Sequence, residues 1–184
     1  MRKIILSMMV SVDGFIEGTG KELDWHHWNN EMDKYMGDFF ESVDTIIMGR
    51  KNYELMADYW PTITTEDPVI TDKMNNLPKL VFSKTLTSSG WNNCRFMNEI
   101  DVDEINKMKE QDGKNMVIFG GAAIASAFTK KELIDEYRIV VNPIILGGGT
   151  PLFNDDNKQL ELFLMQSKAF NCGNVLLHYR SLKK

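Results

Sequence analysis

The sequence predicts an α/β fold in which a mixed, mostly parallel sheet is covered by helices on both faces. Three observations carry this. Short apolar runs alternate with amphipathic stretches along the 184 residues, the pattern of strand–helix repeats. Residues 4–10, Ile-Ile-Leu-Ser-Met-Met-Val, read as a buried strand. Near the end, two strand-like runs flank Asn171-Cys172-Gly173-Asn174, a hairpin signal that gives the sheet an antiparallel end.

In chain order, residues 14–24 are polar and glycine-bearing, hence a loop. Residues 29–43 place Met32, Tyr35, Met36, Phe39, Phe40 and Val43 on one face of a helix. Residues 45–48 form a strand, and residues 51–59 a helix stopped by Pro61. Asp67-Pro68 is a cap-then-proline helix start, and that helix ends before Pro78. Strands follow at 80–82 and, more weakly, at 94–97. A helix at 103–111 ends at Gly113. Residues 116–119 form a strand, 122–129 a helix and 137–141 a strand. The closing hairpin takes 163–170 and 175–180, with His178 half exposed on its last strand.

At about 150 residues per domain, 184 residues make one domain, 1–184. Hydrophobic residues at 43% and charged residues at 26% suit a globular chain rather than a disordered or fibrous one. Lys+Arg 21 against Asp+Glu 26 leaves a net charge of −5, which argues against nucleic acid as a partner. Cys94 and Cys172 are far apart and in no metal spacing, so two reduced thiols in a cytoplasmic protein are expected, with no metal. The basic start and short apolar run at 1–10 lack a small-x-small cleavage site. No run reaches the roughly 18 apolar residues of a membrane span, so no membrane partner is expected.

In such a sheet ligands bind beyond the carboxyl ends of the strands, and four junctions carry candidate chemistry. Gly49-Arg50-Lys51-Asn52 opens a helix. Two cations at the positive end of a helix dipole are either solvated or hold an anion between them. Ser83-Lys84-Thr85 follows the next strand, either a surface turn or a second phosphate grip. Gly120-Gly121-Ala122-Ala123-Ile124 opens another helix. Its small residues permit either tight strand–helix packing or close backbone approach to a pyrophosphate. It matches neither GxGxxG nor a Walker lysine motif. Finally, Gly147-Gly148-Gly149 interrupts the apolar segment 144–153. His26 and His27, if helical, point about 100° apart and make a poor metal pair. No GxSxG elbow or HxE/PCxxC pair appears.

Taken in order, Ser11-Val12-Asp13-Gly14-Phe15-Ile16, Met48-Gly49-Arg50-Lys51-Asn52-Tyr53-Glu54, Val81-Phe82-Ser83-Lys84, Phe119-Gly120-Gly121 and the segment 143–153 carry a resemblance. They resemble the dihydrofolate reductase-like fold, a three-layer architecture, and most closely the C-terminal reductase domain of the riboflavin-biosynthesis deaminase-reductase. The resemblance spans residues 4–180. It implies an NADPH-dependent oxidoreductase, a homodimer, acting on a pyrimidine, pterin or flavin-like heterocycle. It implies that Arg50 and Lys51 face cofactor phosphates, that Ser83 and Lys84 stand near the adenosine 2′-phosphate, and that Gly120-Gly121 is the pyrophosphate turn, often with a cis peptide. Asn52 stands where the family usually has Thr, and Ala125 where dihydrofolate reductases have Tyr beside the nicotinamide. Asp33 lies roughly where those enzymes carry their catalytic carboxylate, and Asp13 near the expected nicotinamide end. Residues 14–24 with Trp25 and Trp28 are a candidate lid or a core anchor. The alternative is a nucleotide-binding module without turnover.

Overall fold

A computed structural model describes residues 1–88, 90–154 and 159–182. The elements run β1 (Ile4–Val10), β2 (Phe15–Glu17), α1 (Asn30–Phe40), β3 (Val43–Gly49), α2 (Arg50–Tyr59), α3 (Pro68–Asn76), β4 (Lys79–Phe82), β5 (Cys94–Met97), α4 (Val102–Glu110), β6 (Asn115–Ile118), α5 (Ala122–Lys130), β7 (Glu136–Val141), β8 (Thr150–Pro151), β9 (Leu162–Ala169) and β10 (Val175–Ser181). The main sheet has the order β5-β4-β3-β6-β1-β7-β10-β9. From β5 to β7 neighbouring strands are parallel. The pairs β7–β10 and β10–β9 are antiparallel.

The side-chain period of two divides each central strand between two cores. Ile5, Ile46, Met48, Val81 and Val117 face Phe39, Phe40, Tyr53, Ile70 and Met74 of α1, α2 and α3. Ile4, Leu6, Ile47, Leu80, Phe82, Met116 and Ile118 face Ile105, Met108, Ile124 and Phe128 of α4 and α5. Burying each large side chain contributes roughly 1.5–3 kcal/mol. The result is the three-layer, helix–sheet–helix architecture expected of the sequence.

The differences are local. α1 ends at Phe40, and Val43 is a buried residue of β3 rather than the last helical position. Its offset continues the apolar stripe, but the chain has already turned at Glu41 and Ser42. The loop expected at 14–24 contains β2, which pairs with β8 in a separate two-stranded sheet. Two strands of three and two residues are too short to show a period. His178 is buried rather than half exposed, because its ring nitrogen Nε2 meets Glu136 Oε2 at 2.9 Å on the neighbouring strand. His26 and His27 lie in the loop before α1, not on a helix. No described helix is long and apolar enough to cross a membrane.

Candidate functional site

β4, β3 and β6 are adjacent and parallel, with Gly49 paired to Phe82 and Ile47 to Ile118. Their carboxyl ends therefore open at one place, and three of the four junctions meet there. α1, α3 and α4 begin with side-chain caps from Asn29, Asp67 and Asp101. α2 and α5 begin at Gly49 and Gly121 with no side-chain cap. Their first N–H groups keep the partial positive charge that a capping oxygen would otherwise occupy.

Arg50 bridges two junctions, with Nε donating to Glu54 Oε1 and Nη1 to Thr85 Oγ1, both at 2.8 Å. Lys51 and Lys84 are exposed and make no ion pair among the described residues. Ser83 is buried, and its Oγ accepts from Thr85 N at 3.2 Å and Leu86 N at 2.9 Å, so it shapes the turn that presents Lys84. Asn52 joins the third junction. A Cβ on Gly120 would lie 3.2 Å from Asn52 Oδ1, and Gly120 sits at φ 141°, a conformation that favours glycine. Asn52 Nδ2 is buried without a hydrogen-bond partner. Ala122 and Ala123 leave the start of α5 uncrowded, while buried Ile124 packs under Gly49, whose Cβ would stand 3.4 Å away. The Gly120–Gly121 peptide is trans, not the cis bond that the resemblance implies.

A cleft of about 470 Å³ opens beside this convergence, reaching from Asn52, Gly120 and Gly121 to β1 and across to α1, α2 and α3. Its walls are methionine and aromatic side chains, with Ser7, Glu17, His26, Asn52 and Glu66 as the principal polar residues. Burial pushes the His26 imidazole down to about 4, so it is neutral at pH 7, and its Nε2 has no partner. Glu66 accepts from the Tyr59 hydroxyl, a bond that pushes the phenol up to about 12. Glu17 accepts from Thr150 Oγ1 at 2.6 Å, tying β2 to β8.

Neither Asp13 nor Asp33 lines the cleft. The exposed Asp13 carboxylate accepts from Leu146 N at 3.1 Å and Gly147 N at 2.8 Å, pinning the triple-glycine loop. The Ser11 hydroxyl and these amides hold its pKa below the usual carboxylate value. Asp33 accepts from Trp28 Nε1 at 2.6 Å and so orients a ring that does line the cleft. Trp25 is instead a buried anchor, its Nε1 donating to Glu22 O at 3.0 Å. Sequence reasoning missed His26 and Glu66, because each stands in irregular chain where no period or motif marks its direction.

The eight-stranded mixed sheet, covered by helices, has the dihydrofolate reductase-like fold. Residues 2–176 match the family model of the RibD C-terminal domain, and the chain belongs to that family. Two uncharacterized proteins of Bacillus subtilis are similar: YyaP is 37% identical over 184 residues (97% of this chain, 94% of YyaP) and YwjB is 33% identical over 179 residues (97% of each). A structure from Shewanella sp. PV-4 named for riboflavin biosynthesis superposes with a TM-score of 0.80 at 25% identity, covering 100% of both chains. A Thermotoga maritima deaminase/5-amino-6-(5-phosphoribosylamino)uracil reductase gives 0.69 at 12% identity, covering 98% of this chain and 56% of that one. Dihydrofolate reductase of Enterococcus faecalis, complexed with NADP(H), gives 0.64 at 14% identity, covering 98% and 97%. These last two show the fold.

Proposed function

We propose that this chain is an NADPH-dependent oxidoreductase that reduces a small heterocycle of the pyrimidine, pterin or flavin kind. The observation that carries the reading is the pair of uncapped helix starts, Gly49 and Gly121, on either side of the unpartnered Asn52 amide. A donor buried without a partner is costly, and an anion brought to it removes the cost. The residues present therefore suit the phosphates of a dinucleotide. Arg50, Lys51 and Lys84 would supply charge for a 2′-phosphate, which favours NADPH over NADH.

When bound, the nicotinamide supplies the hydride. The chain's own part is to bind, orient and exclude water. The apolar cleft walls keep solvent from the reacting groups, and the Asp33–Trp28 bond fixes one wall. The alternative, a nucleotide-binding module without turnover, is favoured by one observation: Asp13 and Asp33 are both committed to hydrogen bonds within the fold. Apolar exposure of Phe163, Leu164 and Met165 on edge strand β9 supports a homodimer, which sedimentation tests.

The discriminating experiment combines an NADPH-induced rise in melting temperature with steady-state NADPH oxidation across flavins, pterins and aminopyrimidines. A rise with turnover supports the reductase, and a rise without turnover on any of them supports the module. No rise removes both.

A further inference from the structure

The walls of the cleft also bear on which acceptor it takes, an inference that rests on the reductase reading. We infer that the acceptor carries no phosphate, is neutral or cationic, and meets His26 Nε2 with a polar edge of its ring.

The charged side chains lining the cleft, among the described residues, are Glu17 and Glu66; no lysine or arginine lines it. Each carboxylate is held by a neutral hydroxyl, Thr150 on Glu17 and Tyr59 on Glu66, which positions the charge without cancelling it. The cations of this region stand outside the cleft lining: Arg50 and Lys51 at the helix start, Lys84 in its turn, and Arg138 of β7, which pairs in register with Ser7 but lies over the Phe39 ring. A phosphate on the acceptor would place a dianion beside two carboxylates in a largely apolar space with no cation among the residues that line it. Coulomb repulsion and lost hydration both oppose that. A ring without a phosphate meets neither penalty.

The remaining surface suits a flat ring. Met32, Met36 and Met56 line it with flexible, polarizable side chains, Met56 Sδ accepting from Trp60 Nε1 at 3.0 Å, and Trp28 and Trp60 add aromatic rings. Within this lining His26 Nε2 is an unpartnered buried polar atom on a neutral imidazole. A neutral ring nitrogen can donate or accept according to its tautomer, so it can meet an N–H or a C=O on the ring edge. A site with few convergent polar groups in an apolar cleft is the usual design of small-molecule recognition. The Thermotoga maritima protein of this fold is named for a phosphoribosyl substrate; the present lining has no cation to receive such a group.

The test titrates the full chain, with and without NADP⁺, by calorimetry against two matched pairs. These are riboflavin with riboflavin 5′-phosphate, and 5-amino-6-ribosylaminouracil with its 5′-phosphate. The expected result is that in at least one pair the form without phosphate binds about tenfold more tightly or better. The Glu17→Gln/Glu66→Gln double variant should narrow that ratio. His26→Phe should lose about tenfold in affinity for the preferred ring, and His26→Gln, which keeps a polar edge, should lose less. Equal or tighter binding of the phosphorylated member in both pairs overturns the inference, and so does failure of every unphosphorylated member to bind. The NADPH-induced melting shift, read on the same samples, judges the reductase reading separately.

Discussion

Arg50 Nη1 reaches Thr85 Oγ1 at 2.8 Å, joining the start of α2 to the turn that follows β4. Two positions 35 residues apart in sequence thus share one guanidinium. With Lys51 and Lys84 exposed beside it, this cluster is the part of the surface best suited to an extra phosphate. Arg50→Ala and Lys84→Ala should each weaken NADPH binding by about tenfold and NADH binding by about twofold or less. Calorimetric titration of both cofactors checks this. Equal losses would detach the cluster from the 2′-phosphate.

The orphan amide of Asn52 separates stability from binding. Asn52→Leu keeps the shape and removes the buried Nδ2 that has no partner. Such a change should raise the melting temperature of the ligand-free chain, by about 1 kcal/mol in stability. The same variant should show a much smaller NADPH-induced melting shift. Loss of stability in the ligand-free variant would mean that the amide already has a role in the fold itself.

How far the sequence discloses this molecule depends on the range of the forces involved. β1 and β5 are legible to the residue, because an apolar run or a flanking turn marks both ends. The Gly49, Ser83 and Gly120 junctions are legible as positions, since each follows a recognisable strand. Their meeting is a property of strand order, which becomes visible once β3, β4 and β6 are seen side by side. His26 carries no such mark. Its direction into the cleft depends on Trp25 anchoring one side and on Asn142 Oδ1 accepting from His27 N at 2.9 Å on the other. Asn142 is 115 residues away in the chain. The β2–β8 pairing is hidden for the same reason: its register is set by a contact across the fold.

That contact makes Gly149 a sharp test of the small sheet. Gly149 has φ 141°, and a Cβ there would come within 2.0 Å of the Glu17 carbonyl oxygen. No side-chain movement relieves a clash with backbone, so Gly149→Ala should unpair β2 from β8. Ile16 and Glu17 would then leave the cleft wall. Hydrogen exchange should show faster exchange at Phe15 to Glu17 with little change in the central strands, and riboflavin affinity should fall. Gly147→Ala is the control: it also has positive φ, at 71°, but no atom lies within 4 Å of its added methyl group.

At the other end of the sheet Glu136 of β7 ties β10 to Lys3, the residue just before β1. Its Oε1 accepts from Lys3 Nζ at 2.6 Å, and Oε2 faces His178 Nε2 at 2.9 Å. The His178 hydrogen bond, followed by Lys3, holds the carboxyl down at about 2 against the opposing effect of burial. A folded-state pKa below the unfolded one means that the unfolded chain takes up this proton first as pH falls. The stabilisation is therefore complete above the ordinary carboxylate value of 4.5 and is lost between there and about 2. By linkage it is at most on the order of 3 kcal/mol, less whatever solvent screens from the half-exposed Lys3. Urea midpoints for the wild type and Glu136→Gln should differ most near pH 6 and converge as pH approaches 2. A gap that stays constant from pH 6 to pH 3 would assign the stabilisation to packing of the side chain rather than to its charge.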